Sequence, residues 1–337
     1  MFGSDLQRGP EFAASLDAED PVAEFRTRFD LPLSGRDTVV YLAGNSLGPL
    51  PVAAREALER ETGRWATLGV DGWFDEASPW YGMDERFLGS IAELVGAKAH
   101  EVAVMNGLTV NLHLLLASFF RPEGLRRTIL IESPCFPSDR FAGETHLRWR
   151  GLDPTSHLIE VGPREESGLI EEEDIEATLA ARGEEIALVL LGGVNFLTGQ
   201  RLDLPRIVRA ARRCGALVGF DLAHAVGNVP LNLHDWDVDF AAWCHYKYVN
   251  AGPGAPAGIF VHERHATDRG IERLGGWWGN DPATRFRMQL DPDFVPRADA
   301  AGWQLSSPPV LALAPLGPAL GLFDEARFDR LRAKSLR

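Results

Sequence analysis

Between Glu101 and Val261 short apolar runs alternate with stretches of helical periodicity, and that alternation narrows the folds open to the chain more than any other feature. The strand-like runs are Glu101–Met105, Thr128–Glu132, Ile186–Leu191, Ala216–Phe220, Phe240–Cys244 and Ile259–Val261. Helical patterns cover 84–96, the segment opening at Leu108, 171–182 with an acidic first turn that suits its dipole, and Asp203–Arg213. Parallel strands need a long crossover and the crossover is right-handed, so the expectation is an α/β fold with a largely parallel central sheet and flanking helices. Ligands of such sheets bind beyond the carboxyl ends of the strands.

Upstream, residues 1–50 read as an arm containing Pro10, Pro21 and Pro32, with one short helix at Val22–Phe29 and a short strand at Val39–Leu42. Ala43–Pro49 then reads as a tight turn with exposed amides, and 52–68 as a helix. Gly69–Tyr81 is a loop carrying Trp73, Phe74, Trp80 and Tyr81, aromatics that serve packing or flank a flat ligand. A helical pattern from Leu311 to Leu331 meets no stop signal.

The net charge of −14 disfavours a protein devoted to nucleic-acid phosphates and leaves small metabolites as the expected partners. No apolar run reaches membrane-span length and residues 1–20 lack a secretory pattern, so a cytoplasmic protein without membrane partners is expected. Three cysteines without C-x-x-C spacing support neither a disulfide framework nor a zinc knuckle. His262-Glu263-Arg264-His265 is one residue short of the H-E-x-x-H helix, and Asp235, Asp237 and Asp239 read as solvated strand-end acids, so no metal is expected.

Chemistry concentrates at Trp243-Cys244-His245-Tyr246-Lys247-Tyr248-Val249-Asn250. A lysine just past an apolar run suggests a positioned amine, because a buried lysine is costly unless neutral, paired or covalently engaged. Asp221 follows a strand-like run, and a Lys–Asp pair of this kind suggests pyridoxal phosphate, with the amine on its aldehyde and the acid on its ring nitrogen. Taken singly, Lys247 is also an ordinary loop lysine and Asp221 a cap or turn residue. The free amides at Leu108 and Thr109 open a helix and suit a phosphate, while His113 on its apolar side suits packing. Phe136 in the exit loop 133–140 suits stacking on a cofactor ring with Asp139 at the ring's edge, although Ser138 or Asp139 would equally serve as a helix cap. The indole of Trp277 packs locally or reaches a phosphate.

Together Gly44-Asn45-Ser46-Leu47-Gly48, Leu108–His113, Phe136-Pro137-Ser138-Asp139, Gly219–Gly227, Tyr246-Lys247 and Gly276-Trp277-Trp278-Gly279 resemble the kynureninases, in the family's order. The resemblance implies the type I fold of pyridoxal-phosphate-dependent transferases and a homodimer. It implies hydrolysis of L-kynurenine or its 3-hydroxy form to anthranilate or hydroxyanthranilate plus L-alanine, in tryptophan degradation. It also implies Lys247 and Asp221 as catalytic groups, and a cofactor held by Leu108, Thr109, Phe136, Pro137, Ser138, Asp139, Asp221, His224, Tyr246, Lys247 and Trp277. Two positions depart from the family's pattern: Gly192, near which a hydroxyl residue is common, and Ser307, where asparagine is common. The family's pattern also runs past residue 337, so the expected division is an arm over 1–50, a cofactor-binding domain over 51–310, and over 311–337 the start of a small C-terminal domain cut short. Two further readings stay open: a cysteine desulfurase of the same fold, and a non-catalytic cofactor-binding remnant with apolar surface exposed along 311–331.

Overall fold

The computed structural model describes residues 9–268 and 270–337. Seven strands form the central sheet: β1 Val102–Met105, β2 Thr128–Glu132, β3 Leu158–Val161, β4 Ile186–Gly192, β5 Leu217–Asp221, β6 Phe240–Trp243 and β7 Ala257–Val261. Their spatial order is β1-β7-β6-β5-β4-β2-β3. Only β7 runs against its neighbours, pairing antiparallel with β6 and β1, and the remaining pairs are parallel. The expected largely parallel sheet is present. Apart from the edge strand β3, its strands are buried on both faces, which is why they read as continuous apolar runs rather than alternating ones.

The long helices are α1 Pro10–Ala18, α2 Val52–Leu68, α3 Leu88–Val95, α4 Leu108–Phe119, α5 Pro137–Trp149, α6 Glu172–Arg182, α7 Leu204–Cys214, α8 Leu316–Ala326 and α9 Phe328–Ser335. Two apolar clusters lie on opposite sides of the sheet. One joins Val189, Val218 and Phe220 to Ile207, Ile91 and Leu320, and the other joins Leu188, Phe240 and Ile259 to Leu115, Phe119 and Trp303. The start of α7 is set by Asp203, whose carboxylate accepts the Arg206 N–H, and its end by Gly215 in the left-handed region at φ 77°.

Several expectations are corrected. Val39–Leu42 is not a strand: the hairpin lies earlier, Leu33–Ser34 against Asp37–Thr38, and Val40 and Leu42 have no pairing partner and stand 82% and 87% exposed. The arm's α-helix is α1, while Ala23–Arg28 is a 3-10 helix, because Pro10 occupies the first helical turn, where its missing N–H costs nothing. β3 lies in a stretch without an assigned element; its alternating burial marks it as the half-exposed edge strand. The pattern from Leu311 to Leu331 is not one helix, since Pro315 opens α8 and Arg327 at φ 61° separates α8 from α9. Nor does that segment expose an apolar stripe: Leu313, Leu316, Ala319 and Leu320 are buried in the same cluster as Ala57 and Ile91.

Candidate functional site

The strands β2, β4, β5 and β6 are parallel, so Glu132, Gly192, Asp221 and the segment after Trp243 all arrive at one edge of the sheet. A cavity of about 250 Å³ opens there. It is lined by Leu108 and Thr109 from α4, Phe136, Ser138 and Asp139 from the start of α5, Asp221 and His224 after β5, and Tyr246 and Lys247 after β6. Of the expected site residues, two are not among the lining. Pro137 sits at the first position of α5, where it fixes the helix entry. Trp277 is half-exposed, and its indole N–H donates to the Arg285 carbonyl at 3.0 Å, so within one chain it stays outside this cavity.

Lys247 is placed by backbone closures on both sides. His245 is fully buried, accepting from Trp243 Nε1 at 2.9 Å and donating from Nδ1 to the Pro256 carbonyl, while Ala251 N–H closes on the His245 carbonyl. Gly48 N–H donates to the Tyr246 carbonyl at 2.9 Å, and a Cβ on Gly48 would lie 2.5 Å from the Lys247 carbonyl oxygen. The Gly44–Gly48 turn is therefore a buttress under the lysine loop, and its glycine is required by close approach. Lys247 Nζ reaches His224 Nε2 at 3.0 Å and stands 5.9 Å from the centre of the Phe136 ring. Burial, with the Lys247 charge beside it, lowers the His224 pKa to about 4, so the imidazole is neutral and accepts from the amine at Nε2.

Asp221 is fully enclosed, one oxygen accepting the Ala223 N–H at 2.7 Å. Burial raises its pKa, while that N–H, the Asp139 carboxyl and the Lys247 charge favour its ionised form. Asp139, in hydrogen-bond reach of it, is pushed up to about 9 by burial and then by the Asp221 charge. Asp139 therefore holds the proton at neutral pH and donates it toward Asp221. Neither Ser138 nor Asp139 caps α5, whose cap position is Phe136 with no side-chain bond. The free amides of Leu108 and Thr109 follow Gly107, the cap of α4, which also lacks a side-chain cap.

Residues outside the expected set complete the cavity: Gly107, Val110, Glu132, Gly192, Val194, Phe196 and Ala223. Of these Glu132 has most chemistry. It ends a fully buried strand after the apolar run Ile129–Ile131, and an acid in that setting was the available sequence signal. The aromatics of Gly69–Tyr81 take the packing role: Trp73 and Tyr81 close on Trp278 at 6.3 and 5.4 Å between centroids, outside the cavity. His113 pairs with buried His146 at 3.1 Å. Asp239 is not a solvated strand-end acid, since Arg264, His265 and the Val218 N–H surround its carboxylate. One His–carboxylate group among the described residues, Glu101 with His234 and His262, has metal-like proximity. Glu101 is already committed as an acceptor to the Lys98 and Glu263 N–H groups and to His234.

Comparison with known proteins adds the family. The aminotransferase class-V model matches residues 49–262. The kynureninase of Xanthomonas euvesicatoria pv. vesicatoria (strain 85-10) is 53% identical over 96% of this chain and 76% of its own length. This chain belongs to the kynureninase family. A second kynureninase, from Xanthomonas campestris pv. campestris (strain 8004), is 52% identical over the same shares. Kynureninases are pyridoxal-phosphate-dependent hydrolases within the class-V group. Solved structures show the fold: the cystine C-S lyase C-DES with cysteine persulfide (TM-score 0.69, 19% identity, 85% of this chain and 72% of that one) and the cysteine desulfurase CsdA of Escherichia coli (TM-score 0.71, 16%, 92% and 73%). This chain therefore has the type I fold of pyridoxal-phosphate-dependent enzymes, built on a mainly parallel sheet with flanking helices.

Proposed function

We propose that this chain hydrolyses L-kynurenine or its 3-hydroxy form, releasing anthranilate or 3-hydroxyanthranilate and L-alanine, at the cavity around Lys247. The observation that carries the reading is the contact of Lys247 Nζ with neutral His224, in the same cavity as a buried acid pair, in a kynureninase-family chain. The cavity suits pyridoxal phosphate: an amine for its aldehyde, a buried carboxylate with a protonated neighbour for its ring nitrogen, and free helix amides for its phosphate. When bound, the cofactor supplies an electron sink conjugated to the substrate α-carbon.

The chain's own groups do the rest. Lys247 Nζ would hold the aldehyde and, once released from it, take the proton from the substrate α-carbon, with His224 Nε2 keeping the amine's direction. Asp221 would counter the positive ring nitrogen, with Asp139 donating to Asp221 so that the pair carries one net charge. Leu108 and Thr109 would hold the phosphate, with the Thr109 hydroxyl and Tyr246 as further donors, and Phe136 would pack against the ring. Water adds to the side-chain ketone, the bond between the β- and γ-carbons breaks, the β-carbon takes up the proton held by Lys247, and the proton released as the hydrate becomes the carboxylic acid returns through Lys247 to the α-carbon to complete alanine.

A desulfurase needs a thiolate nucleophile, and this chain offers none at the cavity. Burial pushes the Cys135 thiol up to about 12 and the Cys244 thiol up to about 11. We assign cofactor binding to residues 51–310, with 1–50 as an arm and 311–337 as a helical segment docked on the same core. A cytoplasmic homodimer is the proposed setting, supported by exposed apolar side chains such as Val40, Leu42 and Leu290 and by the lack, among the described helices, of one long and apolar enough to cross a membrane. The test is anthranilate fluorescence from L-kynurenine, and hydroxyanthranilate from the 3-hydroxy substrate, by the cofactor-saturated chain. Wild type is expected to release product and Lys247→Ala to fall by at least about 1000-fold; equal rates from both chains would overturn the assignment of Lys247.

A further inference from the structure

Glu132 is the acid in the cavity to which the reaction above gives no task. Both its oxygens accept the Gly192 N–H, at 2.9 and 3.0 Å, and only 4% of the residue is exposed. Gly192 is in close contact with this carboxyl. A Cβ there would lie 2.8 Å from Glu132 Oε1, so the carboxyl occupies the space that a side chain at 192 would need. Glu132 thus supplies the polar group on that wall, and its position is fixed by backbone rather than by a flexible partner.

Three carboxyls, Glu132, Asp139 and Asp221, share this wall with one amine. The titratable and charged groups that face Asp139 are Asp221 after β5, Glu132 from β2, Cys135 and Arg140 beside it, and Lys247 and His224 across the cavity. Arg140 is drawn away into ion pairs with Glu144 and Glu160, so it does not neutralise the wall. We propose that Glu132, clamped by the Gly192 N–H in the cavity it shares with Asp139 and Asp221, is a positioning residue of the cofactor pocket whose charge adds to burial and to Asp221 in keeping Asp139 a hydrogen-bond donor to Asp221. The Glu132 charge is among the causes that raise Asp139, and burial lifts Glu132 itself to about 7, so its charge is present from neutral pH upward.

This inference rests on the cofactor reading above, and its test separates the two. Pyridoxal-phosphate dissociation constants are measured by absorbance from pH 6 to 10 for wild type, Glu132→Gln, Asp139→Asn and the double variant. Glutamine keeps an acceptor for Gly192 and removes the charge. Glu132→Gln is expected to move the alkaline inflection of wild type to lower pH, and to change affinity less than twofold in the Asp139→Asn background. An equal loss at every pH and in both backgrounds would mean that Glu132 merely supports structure, and an unmoved inflection would equally overturn the proposal. If wild type itself fails to bind pyridoxal phosphate, the cofactor reading falls, and the Glu132 inference with it. Should Glu132→Gln not fold, Gly192→Ala displaces the same carboxyl and is expected to move the same inflection.

Discussion

The acid pair beneath Lys247 couples function to stability at the level of single residues. Asp139 has a folded pKa near 9 against an ordinary 3.8. The folded state therefore binds a proton that the unfolded state releases, and the stability this contributes, complete below pH 3.8, is lost as pH rises toward 9. Asp139→Asn stays neutral throughout. The apo variant is expected to be more stable than the wild-type apoprotein at pH 8, by roughly 1–3 kcal/mol, with a gap that closes toward pH 4. Urea denaturation at the two pH values measures it. The same variant is expected to bind cofactor more weakly, since its amide cannot follow the proton. His245 has the opposite sign: burial lowers it to about 4, so the stability it contributes is present above pH 6.5 and is lost as pH falls toward 4.

At the scale of elements, the lysine loop and the Gly44–Gly48 turn form one unit although about 200 residues of chain separate them. Gly48→Ala would set a methyl 2.1 Å from Asn250 Oδ1 and 2.5 Å from the Lys247 carbonyl oxygen. Overpacking of this kind costs about 1–3 kcal/mol, and the backbone carrying the amine has to move. Cofactor affinity is expected to fall at least tenfold while helix content by circular dichroism is unchanged; unaltered affinity would refute the buttress. α4 and α5 contribute differently, through their first turns. Both lack a side-chain cap, but α4 leaves the Leu108 and Thr109 amides free for an anion, whereas α5 opens on Pro137, which has no N–H, and its Asp139 N–H donates to the Phe136 carbonyl.

For the whole molecule, the question is how residues 311–337 belong to the rest. α8 is docked on α2 and α3, with Leu316 and Leu320 buried in the cluster that includes Ala57, Ile91 and Val95. Leu320→Ala is expected to cost about 2–4 kcal/mol in chemical denaturation, a loss that a loosely attached tail would not show. Six of the seven sheet strands, and the gathering of nine of the eleven expected residues at one cavity, were legible because local periodicity marks elements and strand ends mark ligand sites. Val39–Leu42 misled because an apolar run has strand character only while it has a partner to pair, and beyond the Val39 N–H, which donates to the Pro32 carbonyl, the run leaves the hairpin with Val40 and Leu42 exposed.

By itself the sequence determined the parallel sheet, the edge where chemistry gathers, and the amine and acid that meet there. Each of these depends on periodicity or on a motif contained within a few residues. Tertiary structure alone decided that Asp139 holds the proton, that Glu132 is clamped by Gly192, that Gly48 supports Lys247, and that Trp277 lies outside its own chain's cavity. The first three turn on close approach between residues far apart in the chain, and the proton also on how thoroughly the fold excludes water from the acids. Neither quantity has a signature in local order.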